Sequence, residues 1–279
     1  MRLARVSKNG KIGLASQSDG AVTVLWDESL ADLDAQIANG TLAAAGAKAA
    51  AGESIDEASL TFLAPVANPS KIVCLGLNYR DHAEESGMGI PEFPVLFARF
   101  ASSLIGHGAP IILPKVSKQL DWEAELVVIL SKGGKNIAES DALDHVAGYS
   151  VFNDASIRDY QLRTPQWTAG KNFDDTGAFG PWLVTPEDLP EGAAGLKIEC
   201  RLNGKVMQSS NTGNLIFTVA NTIHLLSTFM TLETGDVLVM GTPGGVGVAR
   251  DPQVWMKAGD VCEVEIEGVG LLSNPIVAE

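Results

Sequence analysis

The chain has 279 residues, of which 46% are hydrophobic and 19% charged. A chain of that size buries roughly 70–75% of its unfolded surface, so it folds without a disulfide or metal staple and is too apolar to be disordered. Twenty Lys plus Arg against 34 Asp plus Glu give a net charge of −14, and no basic run stands out, which argues against a nucleic acid or an anionic membrane as partner.

The first twenty residues lack the apolar core of a signal peptide. The longest uncharged stretch, 206–232, holds too many Asn, Gln and Ser residues to face lipid. A cytoplasmic location is therefore expected. Cys74, Cys200 and Cys262 are odd in number and not in a C-x-x-C spacing, so they read as buried thiols in a reducing compartment.

Residues 1–26 alternate short β-prone runs with Asn9-Gly10 and Asp19-Gly20, both hairpin signals. Residues 28–58 are Ala-rich, with Leu30, Leu33, Ile37 and Leu42 spaced for one or two short helices. A return strand is expected over 60–67, and Asn68-Pro69 then breaks the pattern. This predicts a small N-terminal β-plus-helix domain, 1–67, followed by a larger domain, 68–279.

From residue 70 the reading is strand-heavy. Strands are predicted over 71–77, 120–130, 146–152, 196–202, 236–240 and 261–266, and helices over 78–86, 140–144 and 215–230. No regular alternation of strand and helix appears, which disfavours a Rossmann fold or an eight-stranded α/β barrel. The expected class is α+β, mainly β.

Five segments carry possible chemistry. On a strand, Glu123 and Glu125 of Asp121-Trp122-Glu123-Ala124-Glu125 would project from one face, where two like charges repel unless a cation lies between them. A solvated strand end is the plainer reading of a bare Glu-x-Glu. Asp154, ending the apolar run Val151-Phe152-Asn153, would add a third oxygen if the two strands meet, and such a set suits Mg²⁺ or Mn²⁺ better than Zn²⁺. A turn is the plainer reading of an isolated Asn153-Asp154.

His82 and Glu85, three apart on a helix, would form a general-base dyad for water, although a surface histidine with an exposed acidic neighbour is the plainer reading of the pair alone. Arg158, Gln161, Arg163 and Lys171 lie close after Asp154, placed either to bind an anionic substrate and stabilise an oxyanion or to neutralise neighbouring acids. The Gly-rich stretch 241–247 follows a predicted strand and has the backbone freedom to approach a carboxylate, but it is neither a P-loop nor a dinucleotide fingerprint.

Taken in order, Asn78-Tyr79 with His82 and Glu85, Glu123-x-Glu125-Leu126, Asn153-Asp154, Arg158 and Gln161, Gly170-Lys171, and Gly241-Thr242-Pro243-x-Gly245-Val246-Gly247 resemble the fumarylacetoacetate hydrolase family over about residues 70–277. The resemblance implies a mixed β-sandwich roll, a homodimer, and one Mg²⁺ or Mn²⁺ per subunit held by Glu123, Glu125 and Asp154. It implies that His82 and Glu85 activate water, that Lys171 faces the substrate, and that Thr242 lies at the carboxylate end. Tyr79, Arg158 and Gln161 complete the expected substrate contacts. Arg99 stands where many members have Lys, and the charged contact is expected to survive.

The activity so implied is metal-dependent hydrolysis of a C–C bond in a 2,4-dioxo acid, an acylpyruvate such as maleylpyruvate or fumarylpyruvate. The products are pyruvate and a carboxylic acid, in the setting of aromatic catabolism. The alternative on the same scaffold is an oxaloacetate-type 2-oxo acid decarboxylase or a 2-hydroxydienoate isomerase or hydratase. The partner is a small anionic 2-oxo acid, and Arg158, Arg163, Gln166 and Trp167 lean the expectation toward a second carboxylate on it.

Overall fold

A computed structural model describes residues 1–81 and 89–279. The class is α+β with strands dominant. One long mixed sheet runs through the strands Glu53–Ser54, Ala21–Leu25, Lys11–Ser18, Arg2–Lys8, Gly177–Val184, Val146–Asp154, Ala124–Leu130, Val237–Val239, Ile72–Gly76 and Val95–Arg99, in that spatial order. A second sheet orders Lys205–Asn211, Lys197–Leu202, Val261–Ile266, Gly270–Ala278 and Ile111–Leu113. Among the described residues no helix is long and apolar enough to cross a membrane.

The N-terminal hairpins form where Asn9-Gly10 and Asp19-Gly20 place them. All four residues have positive φ, the geometry that matches the twist of the flanking strands. The Ala-rich stretch makes three short α-helices, Glu28–Ala31, Leu33–Ala38 and Leu42–Ala50, rather than one or two. Asp32 divides the first two by accepting a hydrogen bond from Ala35 N as an N-cap, and Asn39-Gly40 ends the second. The return strand shrinks to Thr61–Phe62, paired with Arg2–Lys8. That first strand also pairs with Gly177–Val184 through Arg2↔Val184 and Leu3↔Leu183, so the long sheet is continuous across position 68.

The central strand Ala124–Leu130 is buried at every position because both faces are covered. Leu126, Val128 and Leu130 point into a core shared with Ile198, Cys200 and Val264 of the second sheet. Val127 and Ile129 point the other way, into a core with Leu33, Ile37 and Ala49 of the N-terminal helices. The run expected over 120–130 is two strands, since Leu120–Asp121 pairs instead with Ser156–Ile157. The helix expected over 140–144 is present as a 3₁₀ helix, Glu139–His145. The helix expected over 215–230 is the α-helix Val219–Phe229, capped by Thr218.

Candidate metal centre and active-site cavity

The register of two strands assembles the site. Ala124–Leu130 and Val146–Asp154 pair antiparallel with Ala124 opposite Asn153 and Glu125 opposite Phe152. Asp154 N donates to Glu123 O at 2.9 Å, carrying the ladder one step further. With side chains alternating between faces, Glu123, Glu125 and Asp154 emerge together on the face that bears Val127 and Ile129. All three are buried, and their ligand oxygens lie within 4.8 Å of one another.

Each member is fixed from outside. Asn153 Oδ1 accepts from Glu123 N at 3.1 Å. Gly241 N donates to Glu125 Oε2. Gly241 has φ +90°, and a Cβ there would lie 2.8 Å from Asn78 Cβ, so only glycine brings that N–H onto the carboxylate. Asp154 is ion-paired to Arg99, whose remaining donors reach Ser103 Oγ at 3.3 Å and Thr176 Oγ1 at 2.7 Å.

Cations alternate with these acids. Lys171 Nζ lies 2.7 Å from Glu123 Oε2 and 2.7 Å from Asp154 Oδ2. Arg158 Nη1 lies 2.6 Å from Glu123 Oε1 and donates to Gln161 Oε1 at 2.7 Å, while its Nε reaches Asp121 Oδ2 at 2.8 Å. The sequence runs Arg99, Asp154, Lys171, Glu123, Arg158, Asp121, with Glu125 beside it. Four carboxylates thus face three cations.

The surplus acid falls on Glu125. Burial pushes its carboxyl well above the ordinary range, and repulsion from Asp154 and Glu123 adds to that, outweighing Lys171 and the Gly241 N–H. Burial pulls Lys171 down, but attraction to Asp154 and Glu123 outweighs it, so the ammonium is held raised and charged. Three hard oxygen donors, crowded and carrying uncompensated charge, fit a divalent hard cation. The triad could therefore hold a divalent metal.

The cluster forms the floor of a cavity of about 310 Å³ lined by Glu123, Glu125, Arg158, Gln161, Lys171 and Thr242 among others. Arg158 Nη2 is buried with no hydrogen-bond partner among the described residues, leaving a charged donor for a ligand oxygen. Thr242 Oγ1 accepts from Gln208 Nε2 at 2.8 Å, which leaves its own proton to give.

Two residues expected on the substrate stand elsewhere. Arg99 is fully buried behind Asp154, where it holds that carboxylate from the side away from the cavity lining. Tyr79 is fully buried and bridges to Leu215, and its hydroxyl has no partner among the described residues. Burial, then Glu125 and Asp81, push that phenol above its usual value, so it stays protonated. His82 and Glu85 lie outside the described residues. Arg163 stacks on Tyr160 at 3.7 Å and is exposed, as is Gln166.

The Gly-rich stretch does approach carboxylates, but they are the chain's own. Besides Gly241 on Glu125, Gly247 N and Val248 N donate to Asp121 at 2.7 and 3.0 Å. Asp121 and Gln208 are the site residues that sequence reasoning left without a role. Gln208 accepts from Ala124 N at 2.9 Å and donates to Pro243 O at 2.8 Å, and no local spacing announces such long-range bonds.

Comparison with known proteins follows the same lines. A family model described as fumarylacetoacetate (FAA) hydrolase C-terminal matches residues 71–277. The oxaloacetate tautomerase fahd2, mitochondrial, of Xenopus laevis is 46% identical over 225 residues, 80% of this chain and 70% of that protein. Among solved structures, a putative HpcE protein from Mycobacterium smegmatis superposes with a TM-score of 0.85 at 36% identity, covering 100% of this chain and 99% of that one. Maleylpyruvate hydrolase from Sphingobium sp. SYK-6 superposes with a TM-score of 0.82 at 26% identity over 100% of both chains.

Proposed function

The chain belongs to the fumarylacetoacetate hydrolase family, and from that premise we propose that it is a divalent-metal-dependent enzyme that interconverts the enol and keto forms of a 2-oxo acid. One observation carries the reading: Glu123 and Glu125 line the floor of a cavity, with Asp154 within 4.8 Å of them oxygen to oxygen, and the same cavity presents Lys171 and an Arg158 donor unpaired among the described residues. The relative named oxaloacetate tautomerase supports the choice of reaction. This moves the emphasis from C–C hydrolysis to the isomerase side of the alternatives, since tautomerisation asks for proton transfer at an enolate and for no water aimed at a carbonyl.

Glu123, Glu125 and Asp154 would hold one Mg²⁺ or Mn²⁺ per subunit, which would supply Lewis acidity toward the 2-oxo group. The Arg158 Nη2 donor and the Thr242 hydroxyl orient the carboxylate. Lys171, kept charged by its acidic neighbours, stabilises negative charge on the enolate oxygen, a role in which one donor in a dry site is worth about 10²–10³ in rate. Ketonisation delivers one proton to C3 and removes one from the 2-oxygen, so the reaction is neutral overall. We assign the transfer of that proton to His82, with Glu85 as its acidic partner.

A second reading, hydrolysis of an acylpyruvate, is favoured by the likeness to maleylpyruvate hydrolase. The two separate in one experiment with Mg²⁺ or Mn²⁺ present. Loss of enol absorbance from oxaloacetate is followed beside pyruvate release from acylpyruvates and CO₂ release from oxaloacetate. Enzyme-dependent enol loss without the other two products supports tautomerisation, and rapid pyruvate release from acylpyruvates alone rejects it.

A further inference from the structure

Resting on the 2-oxo acid reading above, we propose that the preferred substrate carries an apolar, ring-sized tail where a dicarboxylate would carry its second charge. The cavity, at about 310 Å³, reaches the size of pockets that take drug-sized ligands (about 300–1,000 Å³), more room than a four-carbon acid fills. Beyond the polar floor its wall is Leu77, Phe97, Leu162, Trp167, Val246 and Val248.

That wall is built, not incidental. Trp167 packs edge-on against Phe97 with ring centroids 5.6 Å apart. A Cβ at Gly76 would lie 2.2 Å from the Trp167 ring, so the missing side chain is what seats the indole against the strand Ile72–Gly76. Lys171 Nζ stands 4.9 Å from the Phe97 centroid, which joins the aromatic wall directly to the charged floor. Leu162, 66% exposed, extends apolar surface along the same lining.

Among the described lining residues no Lys or Arg stands at that end. The Lys and Arg residues among the described lining are Arg158 and Lys171, and both are engaged with the floor carboxylates. Residues 82–88 contain neither Lys nor Arg, and Arg163 is stacked on Tyr160. A second carboxylate reaching past Arg158 would give up hydration against Phe97 and Trp167 with no ion to meet it. An apolar tail in the same place is drawn in by burial.

Calorimetric titration of the Mn²⁺-loaded protein with oxalate, 2-oxoglutarate and 2-oxo-4-phenylbutanoate tests this. Oxalate reports on the floor alone, and the other two share a 2-oxo acid head with opposite tails. The phenyl compound is expected to bind about tenfold or more tightly than 2-oxoglutarate. Trp167→Ala, which removes the wall, and Gly76→Ala, which drives the indole into the cavity, should each bring that ratio toward one. If oxalate binds but the phenyl tail gives no advantage, the tail proposal is overturned while the 2-oxo acid floor stands. If none of the three binds, both fall.

Discussion

Lys171 Nζ lies 2.7 Å from Glu123 Oε2, 48 residues away in sequence, and the same ammonium bridges to Asp154 Oδ2. In the ion-free protein this lysine supplies positive charge at the triad. Lys171→Met removes it and leaves the buried acids to repel one another. The variant should melt lower than the parent in chelator, with a wider gap between its chelated and Mn²⁺-loaded midpoints. Its kcat should fall about 10²–10³. Unchanged melting in chelator would show that Lys171 does not share the triad's charge.

Glu123 touches both Lys171 and Arg158, so its loss undoes the floor from two sides. Glu123→Ala should abolish metal-dependent turnover and the thermal shift on adding Mn²⁺, both readable in parallel with the parent. Full activity of the parent in excess chelator would contradict the metal-dependent scheme.

Glu125 makes stability depend on pH in a definite direction. Its folded carboxyl titrates well above the ordinary value because of burial and its acidic neighbours, so between those two values the folded state binds the extra proton. The contribution is fully present below the ordinary carboxylate range and is lost as pH rises through the raised value. Denaturant melts in chelator should therefore show the parent losing stability from acid toward neutral pH, and Glu125→Gln should flatten that slope and gain at the neutral end. A parent whose stability rises over the same window would refute the assignment.

These three acids also show how far the sequence could be read. Period-two alternation puts Glu123 and Glu125 on one face, and that much is local. That Asp154 joins them depends on a register with Asn153 opposite Ala124, which no spacing states and which the family resemblance supplied. The strand Gly177–Val184 escaped notice because Pro181 interrupts it, and the structure sets that proline in a break of register between Tyr149 and Val151. Val95–Arg99, Lys205–Asn211 and Gly270–Ala278 were also passed over, since short or polar segments gain strand character only from their neighbours. Arg99 illustrates the remaining gap. Its charge was visible, but whether it faces a substrate or braces Asp154 from behind is decided by burial.

The His82 assignment is tested by separating binding from proton transfer. His82→Ala should lower kcat by about 10²–10⁴, as for loss of a positioned acid–base group, while Mn²⁺ affinity measured by calorimetry stays at the parent value. Loss of the metal together with activity would instead make His82 a ligand.

Asp121 has the widest structural reach of the acids in the cluster. Its Oδ1 accepts from Trp122 N at 2.9 Å and Gly247 N at 2.7 Å, and its Oδ2 accepts from Val248 N at 3.0 Å and Arg158 Nε at 2.8 Å. One buried carboxylate thus ties the loop carrying Val246 and Val248 to the arginine at the cavity floor. Asp121→Asn preserves the shape but turns one acceptor into a donor facing a donor, and it leaves Arg158 one charge short. Breaking a buried pair in this way costs about 3–5 kcal/mol, which urea melts would register as a lower midpoint. Because the loop and Arg158 shape the cavity without belonging to the triad, KM should rise more than kcat falls, and Mn²⁺ should still raise the melting temperature. A variant with the parent's midpoint and KM would mean that the loop and Arg158 are held by their other contacts.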